Sequence, residues 1–535
     1  MQLQDYFAAE RKRFPATADI AYFMTASTGL IPDYVHEGIS AYQEARYRRG
    51  GDSRWRDGED SMAMMYRSKC QMADTTTHTA SIGGEAVTFC AVCDEYPLPS
   101  SDGQCTGSVF SISYLVKDGT PERPVLFIFN GGPGSSSLWM HLGLFGPQTL
   151  AYRDEFDLPV APPFLLEENG DCMLDLCDIV LIDPPGTGFG CSGASSGAYA
   201  SYQKDAELFC DYIHHWLDKH GRWQAPKYLV GESYGSLRAA RILDIIGGCT
   251  ENQLNAIGFD GAIILGNAIG CADEEGILRN GIERSLLQLP SFAAVSAYHG
   301  VSSYADPMQA FREAQGFCAG TYLHALYQGE RLSVADCTAV AEKLHALTGL
   351  SAPLLQAHRL KLSAELYIRY ALESRGQCPG LYDGRYAADA PLDLGEMDSV
   401  GDDAAMSRYT PAFTGAFNGP ARQFLDIRST RSYCPINFKL NADWDMSYHG
   451  KTPAQSLAAA MRRSPQLRLF FGSGVFDLIT TAGETAYAVD HIPMDLSRVV
   501  VKEYLSGHMP YLGKEARRAL TQDLREFIQP ASAHR

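Results

Sequence analysis

Two Gly-x-Ser-x-Gly pentapeptides in the chain could each present a serine hydroxyl as a nucleophile. In this pattern the serine lies on a sharp turn between a strand and a helix, and the flanking glycines allow the backbone to turn tightly. Residues 231–235 (GESYG) directly follow the run KYLV and precede the helical stretch SLRAARILDII, whereas residues 193–197 (GASSG) follow no strand. The context therefore favours Ser233 over Ser195 as the nucleophile.

A serine hydroxyl reacts poorly until a histidine removes its proton, and that histidine needs a carboxylate to hold its tautomer. Asp477 lies six residues after the apolar run 467–471, and His508 lies in a loop after the next such run. The order Ser233, Asp477, His508 is the one expected for a nucleophile on a strand-to-helix turn. The alternatives are that Asp477 only caps a helix and His508 is an ordinary loop residue, or that other side chains serve. Those competing side chains are Asp490, His491 and Asp495.

An acyl-transfer site also needs backbone N–H groups aimed at the developing oxyanion. The N–H of Tyr234, the residue after the candidate nucleophile, is one source. The other is the loop 130–137 (NGGPGSSS) after the apolar run 125–129, where we favour Gly132. This loop lacks the GK[ST] ending of a P-loop and the GxGxxG spacing of a dinucleotide site, so a phosphate cradle is disfavoured.

The elements that must position these residues follow from the hydrophobic pattern. Continuous apolar runs are typical of strands buried on both faces of a parallel sheet, whereas alternating runs at 81–92 and 108–116 indicate half-buried antiparallel strands. The continuous runs are 125–129, 178–182, 227–230, 262–265 and 467–471. With the helical stretch 206–220 as a crossover, the sequence predicts an α/β fold whose mostly parallel sheet carries helices on both faces.

Four segments are predicted along the chain. Residues 1–75 form an N-terminal appendage, 76–271 the first part of the α/β core, 272–425 an inserted helical cap, and 426–535 the second part of the core. Residues 13–52 resemble the opening of class V aminotransferases, which are fold-type I pyridoxal-phosphate enzymes. Because no Schiff-base lysine pattern follows, we expect a fusion remnant or a dimerising arm without a complete cofactor site.

Four motifs together resemble the serine carboxypeptidase family, and the resemblance extends over about residues 78–530. The motifs are FNGGPGSSS, GESYG, the Asp477 segment and GHM. The resemblance implies an α/β-hydrolase fold and an exopeptidase that releases the C-terminal amino acid of a peptide through an acyl-enzyme. It implies the triad Ser233, Asp477 and His508, with the N–H groups of Gly132 and Tyr234 as the oxyanion hole. It further implies that the terminal carboxylate of the substrate is bound by Asn130, Gly131 and Glu232.

The chain departs from eukaryotic members of that family at three positions. Leu144 stands where they carry a further acidic residue, Ser135 where they carry a half-cystine, and Ser236 where a glycine is usual. These three differences leave the hydrolase chemistry intact but bear on strict recognition of the C-terminal carboxylate. An esterase, amidase or acyltransferase on the same triad is therefore an alternative. A third possibility is an inactive hydrolase-like binding protein, and Glu232 read alone could be a surface residue at a helix start.

Composition limits the remaining classes. The chain has 535 residues, a formal charge of −18 and a pI near 5.2, which argues against nucleic acid or an anionic membrane as a partner. Cys90 and Cys93 form a single CxxC that favours strand filler over zinc, so we expect no metal and no cofactor. We also expect no membrane span. The opening residues lack a signal peptide, which predicts a cytoplasmic protein, or a periplasmic or secreted one if the true start differs. The sequence carries no signal for an oligomeric state.

Overall fold

The structure is a computed structural model that describes residues 75–99, 105–191, 199–248, 257–270, 281–390, 400–448 and 450–529. The chain divides into two units, Met1–Gln71 and Met72–Arg535, and every described residue belongs to the second. Residues 1–74 of the predicted appendage, including the aminotransferase-like segment, therefore lie outside the described residues, and so does the competing Ser195.

The strands of the described residues are, in chain order, β1 (Thr76–Ile82), β2 (Glu85–Pro99), β3 (Cys105–Val116), β4 (Val125–Phe129), β5 (Gln148–Leu150), β6 (Leu166–Glu168), β7 (Asp178–Asp183), β8 (Lys227–Glu232), β9 (Gly261–Leu265), β10 (Gln377–Pro379), β11 (Ala387–Asp389), β12 (Arg468–Gly474) and β13 (Val499–Tyr504). Nine of these form one sheet in the order β1-β2-β3-β7-β4-β8-β9-β12-β13. The pairs from β7 to β13 are parallel, and β1, β2 and β3 form an antiparallel extension at one edge.

The continuous apolar runs form the centre of this sheet, as predicted. Every residue of β4 is buried, and its side chains alternate between two cores. Leu126 and Ile128 belong to one core, and Val125, Phe127 and Phe129 to the other. A strand covered on both faces has no polar side, which is why its sequence shows no alternation.

The helices of the described residues are α1 (Leu138–Met140), α2 (Tyr202–His220), α3 (Tyr234–Gly248), α4 (Ile282–Tyr298), α5 (Pro307–Phe317), α6 (Leu323–Gln328), α7 (Val334–Thr348), α8 (Ala352–Ala357), α9 (Ala364–Tyr370), α10 (Met406–Ala416), α11 (Arg422–Phe424), α12 (Phe438–Ala442), α13 (Pro453–Arg463), α14 (Ala482–His491) and α15 (Lys514–Ile528). Short π-helical turns occupy His141–Phe145, Cys318–Tyr322 and Phe417–Ala421, and 3-10 turns occupy Gly329–Arg331, Glu373–Arg375 and Leu496–Arg498. In the parts of the chain that the structure describes, no helix is both long and apolar enough to span a bilayer.

Helices cover both faces of the sheet. α2, α3 and α13 pack on one core, and α10 and α15 pack on the other. The helices α4 to α9 instead enclose a third core of their own, which also takes in Val475, Phe476 and Leu478. The predicted α/β fold with an inserted helical cap is therefore confirmed, and the cap core reaches the loop that carries Asp477.

Candidate active site

Ser233 lies alone between β8 and α3 with a backbone φ of +57°. This left-handed conformation costs a non-glycine residue on the order of 1–3 kcal/mol and persists only where neighbouring contacts fix it. Its N–H donates to the carbonyl of Leu265 (3.0 Å), and its carbonyl accepts from the N–H (2.8 Å) and the hydroxyl (2.6 Å) of Ser236. Ser233 thus has the strand-turn-helix context on which its prediction depends.

The glycines that flank Ser233 are needed because backbones approach closely there. A Cβ on Gly231 would overlap the carbonyl of Gly235, and one on Gly235 would lie 2.8 Å from the carbonyl oxygen of Phe129. Any side chain at either position would push the turn away from β4 and its following loop.

The predicted acid and base are in contact. Nδ1 of His508 lies 2.9 Å from Oδ2 of Asp477, and both side chains are buried. The other carboxylate oxygen, Oδ1, accepts from the N–H groups of Ile479 (2.8 Å) and Thr480 (3.0 Å), and the Thr480 hydroxyl donates to Oδ2 (2.8 Å). These bonds fix the direction in which Asp477 faces the imidazole.

The competing acids and base lie elsewhere on the surface. Asp490, His491 and Asp495 are exposed. His491 contacts the carbonyl of Tyr487, and Asp495 accepts from Ser497 at the start of a 3-10 turn. The helix that follows Asp477 is capped by Thr481, so Asp477 is not its N-cap, and that alternative is wrong.

The candidate nucleophile and base follow parallel strands of one sheet, at the carboxyl ends where α/β proteins bind ligands. Ser233 follows β8, Gly266 follows β9, and His508 lies four residues after β13. A Cβ on Gly266 would lie 3.1 Å from Cε1 of His508, and the preceding Leu265 accepts the N–H of Ser233. The imidazole of His508 therefore lies next to Gly266. Leu265, the residue before Gly266, holds the N–H of Ser233.

The glycine-rich loop lies directly on the nucleophile turn. A Cβ on Gly131 would lie 2.5 Å from the backbone nitrogen of Tyr234 and 2.6 Å from the carbonyl oxygen of Glu232. Gly132 follows with a φ of +104°, which favours glycine. The loop that carries Gly132 thus adjoins the N–H of Tyr234, as two donors to one oxyanion require.

Asn130 and Glu232 form a buried pair next to Ser233. Nδ2 of Asn130 donates to Oε1 of Glu232 (2.7 Å), and Oδ1 of Asn130 accepts from the N–H of Met140 (3.2 Å). The buried guanidinium of Arg238 donates to the carbonyl of Asn130 (2.8 Å). Glu232 is 4% exposed and ends β8, so the interpretation of a surface residue at a helix start is wrong.

Burial raises the pKa of Glu232 to about 7, because a charged carboxylate is poorly solvated there. The charge of His508 and the side chains of Tyr511 and Asn130 oppose this rise. For His508, burial acts to lower the pKa, but the Asp477 carboxylate and then Glu232 raise it above its ordinary value. The two groups titrate beside each other, each favouring the charged form of the other.

Leu144 lies buried in the π-helical turn His141–Phe145, and its carbonyl accepts from Nδ2 of Asn169 (2.7 Å). The ring of Tyr511 packs against Gly143, the residue before Leu144. A Cβ on Gly143 would lie 2.5 Å from Cε2 of Tyr511. No motif in the sequence points to Tyr511 or Thr480. Each lies three residues after a predicted site residue, a proximity that was the only available signal.

One segment of the inserted region holds both loops of the candidate acid and base. We call residues 381–385 the strap. The carbonyl of Leu381 accepts from the N–H of Leu478 (3.0 Å), and the N–H of Gly384 donates to the carbonyl of Phe476 (2.9 Å). The carbonyl of Tyr382 accepts the N–H of His508 (2.6 Å). The strap therefore bridges the segments around Asp477 and His508.

Arg385 anchors the strap, and its replacement is expected to destabilise the fold. Its guanidinium pairs with Asp383, whose side chain is 1% exposed, and with Glu155. Arg385→Ala leaves the Asp383 carboxylate buried without its cation, so the free energy of unfolding in urea should fall by about 3 kcal/mol or more. Arg428→Ala is the control, since Arg428 pairs with Asp426 on the surface and should change stability by less than about 0.5 kcal/mol. Equal effects of the two changes would show that Arg385 is not an anchor.

Comparisons with known proteins point to one family. A model of the serine carboxypeptidase family matches residues 108–314. Serine carboxypeptidase-like 10 of Arabidopsis thaliana is 25% identical over 246 residues, covering 44% of this chain and 48% of the relative. Serine carboxypeptidase-like 13 of the same plant is 26% identical over 214 residues, covering 39% and 44%. The chain thus spans about half the length of the curated relatives it matches.

The crystal structure of a prohormone-processing carboxypeptidase from Saccharomyces cerevisiae aligns with a TM-score of 0.52 at 14% identity, covering 82% of this chain and 91% of that one. The fold is that of an α/β-hydrolase. Within that class, the predicted resemblance to the serine carboxypeptidase family is confirmed over the matched residues 108–314. The roles of the individual site residues stay predictions. Among the described residues, no group of three or more His, Cys, Asp or Glu side chains is arranged to hold a metal ion.

Proposed function

We propose that the protein is a serine carboxypeptidase that releases the C-terminal amino acid of peptides. The observation that carries this proposal is the buried hydrogen-bonded pair of Asn130 and Glu232. Glu232 is the residue directly before Ser233. A serine hydrolase acting on neutral esters has no need of a protonatable carboxyl group beside its nucleophile. A carboxypeptidase needs one there, because the charged end of its substrate lies one residue from the bond that is cut.

In the proposed reaction, Oγ of Ser233 attacks the carbonyl carbon of the last peptide bond while Nε2 of His508 takes the hydroxyl proton. The N–H groups of Gly132 and Tyr234 donate to the oxyanion. His508 then gives its proton to the departing amino group, which leaves as the free amino acid. Water attacks the acyl-enzyme with His508 again as the base, which releases the shortened peptide and restores the Ser233 hydroxyl.

The proposed substrate carboxylate and Glu232 would repel each other unless they share a proton. The active form therefore has a proton on Glu232 and none on His508. Moving that proton from Glu232 to His508 gives an ion pair of the same total charge, and pH alone does not change the ratio of these two forms. We expect kcat/KM to fall at high pH, where Glu232 loses its proton, and at low pH, where His508 gains one.

Glu232→Gln tests this carboxylate pairing. The wild type is expected to cleave an N-blocked dipeptide with a free C-terminus faster than its C-terminal amide, with kcat/KM for the acid falling above about pH 7 because Glu232 then ionises. In Glu232→Gln this alkaline fall should disappear. The acid limb should remain, because it reports the protonation of His508 in the form whose Glu232 is already uncharged. The measurement is kcat/KM for both substrates between about pH 4 and 9.

Glu342→Gln, at an exposed position of α7, is the matched control and should leave both limbs unchanged. Equal cleavage of the free acid and the amide by the wild type would contradict the proposal. Ser233-dependent hydrolysis of simple esters without any dipeptide cleavage would contradict it as well, and would favour the esterase alternative.

A further inference from the structure

Tyr511 is a buried tyrosine that no part of the proposed mechanism uses. It lies three residues after His508 and is 0% exposed. Its ring fits against Gly143, where a Cβ would lie 2.5 Å from Cε2 and 2.7 Å from Cδ2. The absence of a side chain at Gly143 thus gives the ring its place, one residue before Leu144.

The hydroxyl of Tyr511 reaches the Asn130–Glu232 pair. The hydroxyl lowers the pKa of Glu232. Burial and then Glu232 raise the pKa of Tyr511, whereas the side chain of Asn130 lowers it. Oη of Tyr511 and Oε2 of Glu232 are both buried, and neither has a hydrogen-bond partner among the residues that the structure describes.

Two neighbouring unpartnered polar atoms at one place point to a ligand. A buried polar group without a partner is unfavourable, and such groups are usually satisfied by protein, water or ligand. Oε1 of Glu232 is already occupied by Asn130, so Oε2 is the atom left to face a ligand. A phenol and a protonated carboxyl group each offer one O–H donor, and a carboxylate with two oxygens can accept from both.

We propose that the hydroxyl of Tyr511 binds the terminal carboxylate of the substrate, donating to one oxygen while protonated Glu232 donates to the other. The inference rests on the proposed carboxypeptidase function and adds a residue to it. The phenol that packs beside Gly143 supplies a second buried polar group next to Glu232. Tyr511 is thereby a determinant of selectivity for substrates with a free C-terminus.

The test compares wild type, Tyr511→Phe and Tyr212→Phe on an N-blocked dipeptide and on its C-terminal amide. Tyr212 is the matched control, because its hydroxyl on α2 is also buried and has no hydrogen-bond partner in the described part of the chain. A hydrogen bond to a charged group predicts that Tyr511→Phe raises KM for the free acid roughly ten- to a hundredfold, with little change in kcat or in cleavage of the amide. Tyr212→Phe should leave both substrates unchanged.

The pH profile adds a readout that a merely structural role would not move. The Tyr511 hydroxyl lowers the pKa of Glu232, so its removal should shift the alkaline limb for the free acid to higher pH. Equal losses on acid and amide, or no loss on either, would overturn the role of Tyr511 while the acid preference of the wild type still supported a carboxypeptidase. A wild type without that preference would overturn the proposed function itself.

Discussion

Ser233→Ala is expected to lower kcat/KM for peptide hydrolysis by about 10⁵-fold or more, the scale seen when the nucleophile of a serine protease is removed. Without Oγ there is no atom to form the acyl-enzyme, and His508 has no hydroxyl proton to take. The fold should survive, because the N–H and carbonyl of residue 233, which hold the left-handed turn through Leu265 and Ser236, are unchanged. Unfolding in urea should therefore give nearly the wild-type free energy.

Ser195→Ala, in the second Gly-x-Ser-x-Gly pentapeptide, is the control for Ser233→Ala and should keep wild-type activity. A serine-reactive phosphonate provides an independent measurement, with the labelled peptide identified by mass spectrometry. Labelling at Ser233 is the expected outcome. Activity lost in Ser195→Ala and kept in Ser233→Ala would contradict the assignment, and a wild type that is neither active nor labelled would favour the inactive binding protein.

Local sequence signals were sufficient for the sheet. The runs at 125–129 and 178–182 became β4 and β7, because strands covered on both faces contain only apolar residues. Gly83 and Gly84, with φ of +60° and +88°, make the turn between β1 and β2, near the start of the alternating run 81–92. These features depend on residues that are close in sequence, so they were visible in it.

The supports of the candidate site were not predictable in the same way. The strap joins residues 381–385 of the insertion to Phe476, Leu478 and His508 through backbone hydrogen bonds, which leave no trace in residue type. Nor does any spacing reveal that Tyr511 reaches Glu232 or that Gly143 makes room for its ring. Such contacts depend on how distant loops meet, and only the folded structure reports them.

Asp477→Asn is expected to lower kcat by about 10⁴-fold while leaving substrate binding nearly unchanged, as when the triad acid of a serine protease is amidated. Oδ1 of Asp477 accepts from two backbone N–H groups, so the amide oxygen of the introduced asparagine must take that place. The NH₂ group is then turned toward Nδ1 of His508, which now accepts a hydrogen bond. The imidazole proton is forced onto Nε2, the nitrogen that must receive the proton of Ser233.

Asp477→Asn changes the tautomer of His508 and not the packing around it. The variant should unfold at nearly the wild-type urea concentration, and single-turnover measurements should find the acylation step slowed rather than substrate binding weakened. Thr480→Val is the matched comparison, because the Thr480 hydroxyl bonds Oδ2 of Asp477 (2.8 Å) and lies 3.1 Å from Nδ1 of His508. Without it the carboxylate still holds the productive tautomer, so kcat should fall only about tenfold. Losses of equal size in the two variants would mean that the hydroxyl, and not the carboxylate alone, sets the tautomer of His508.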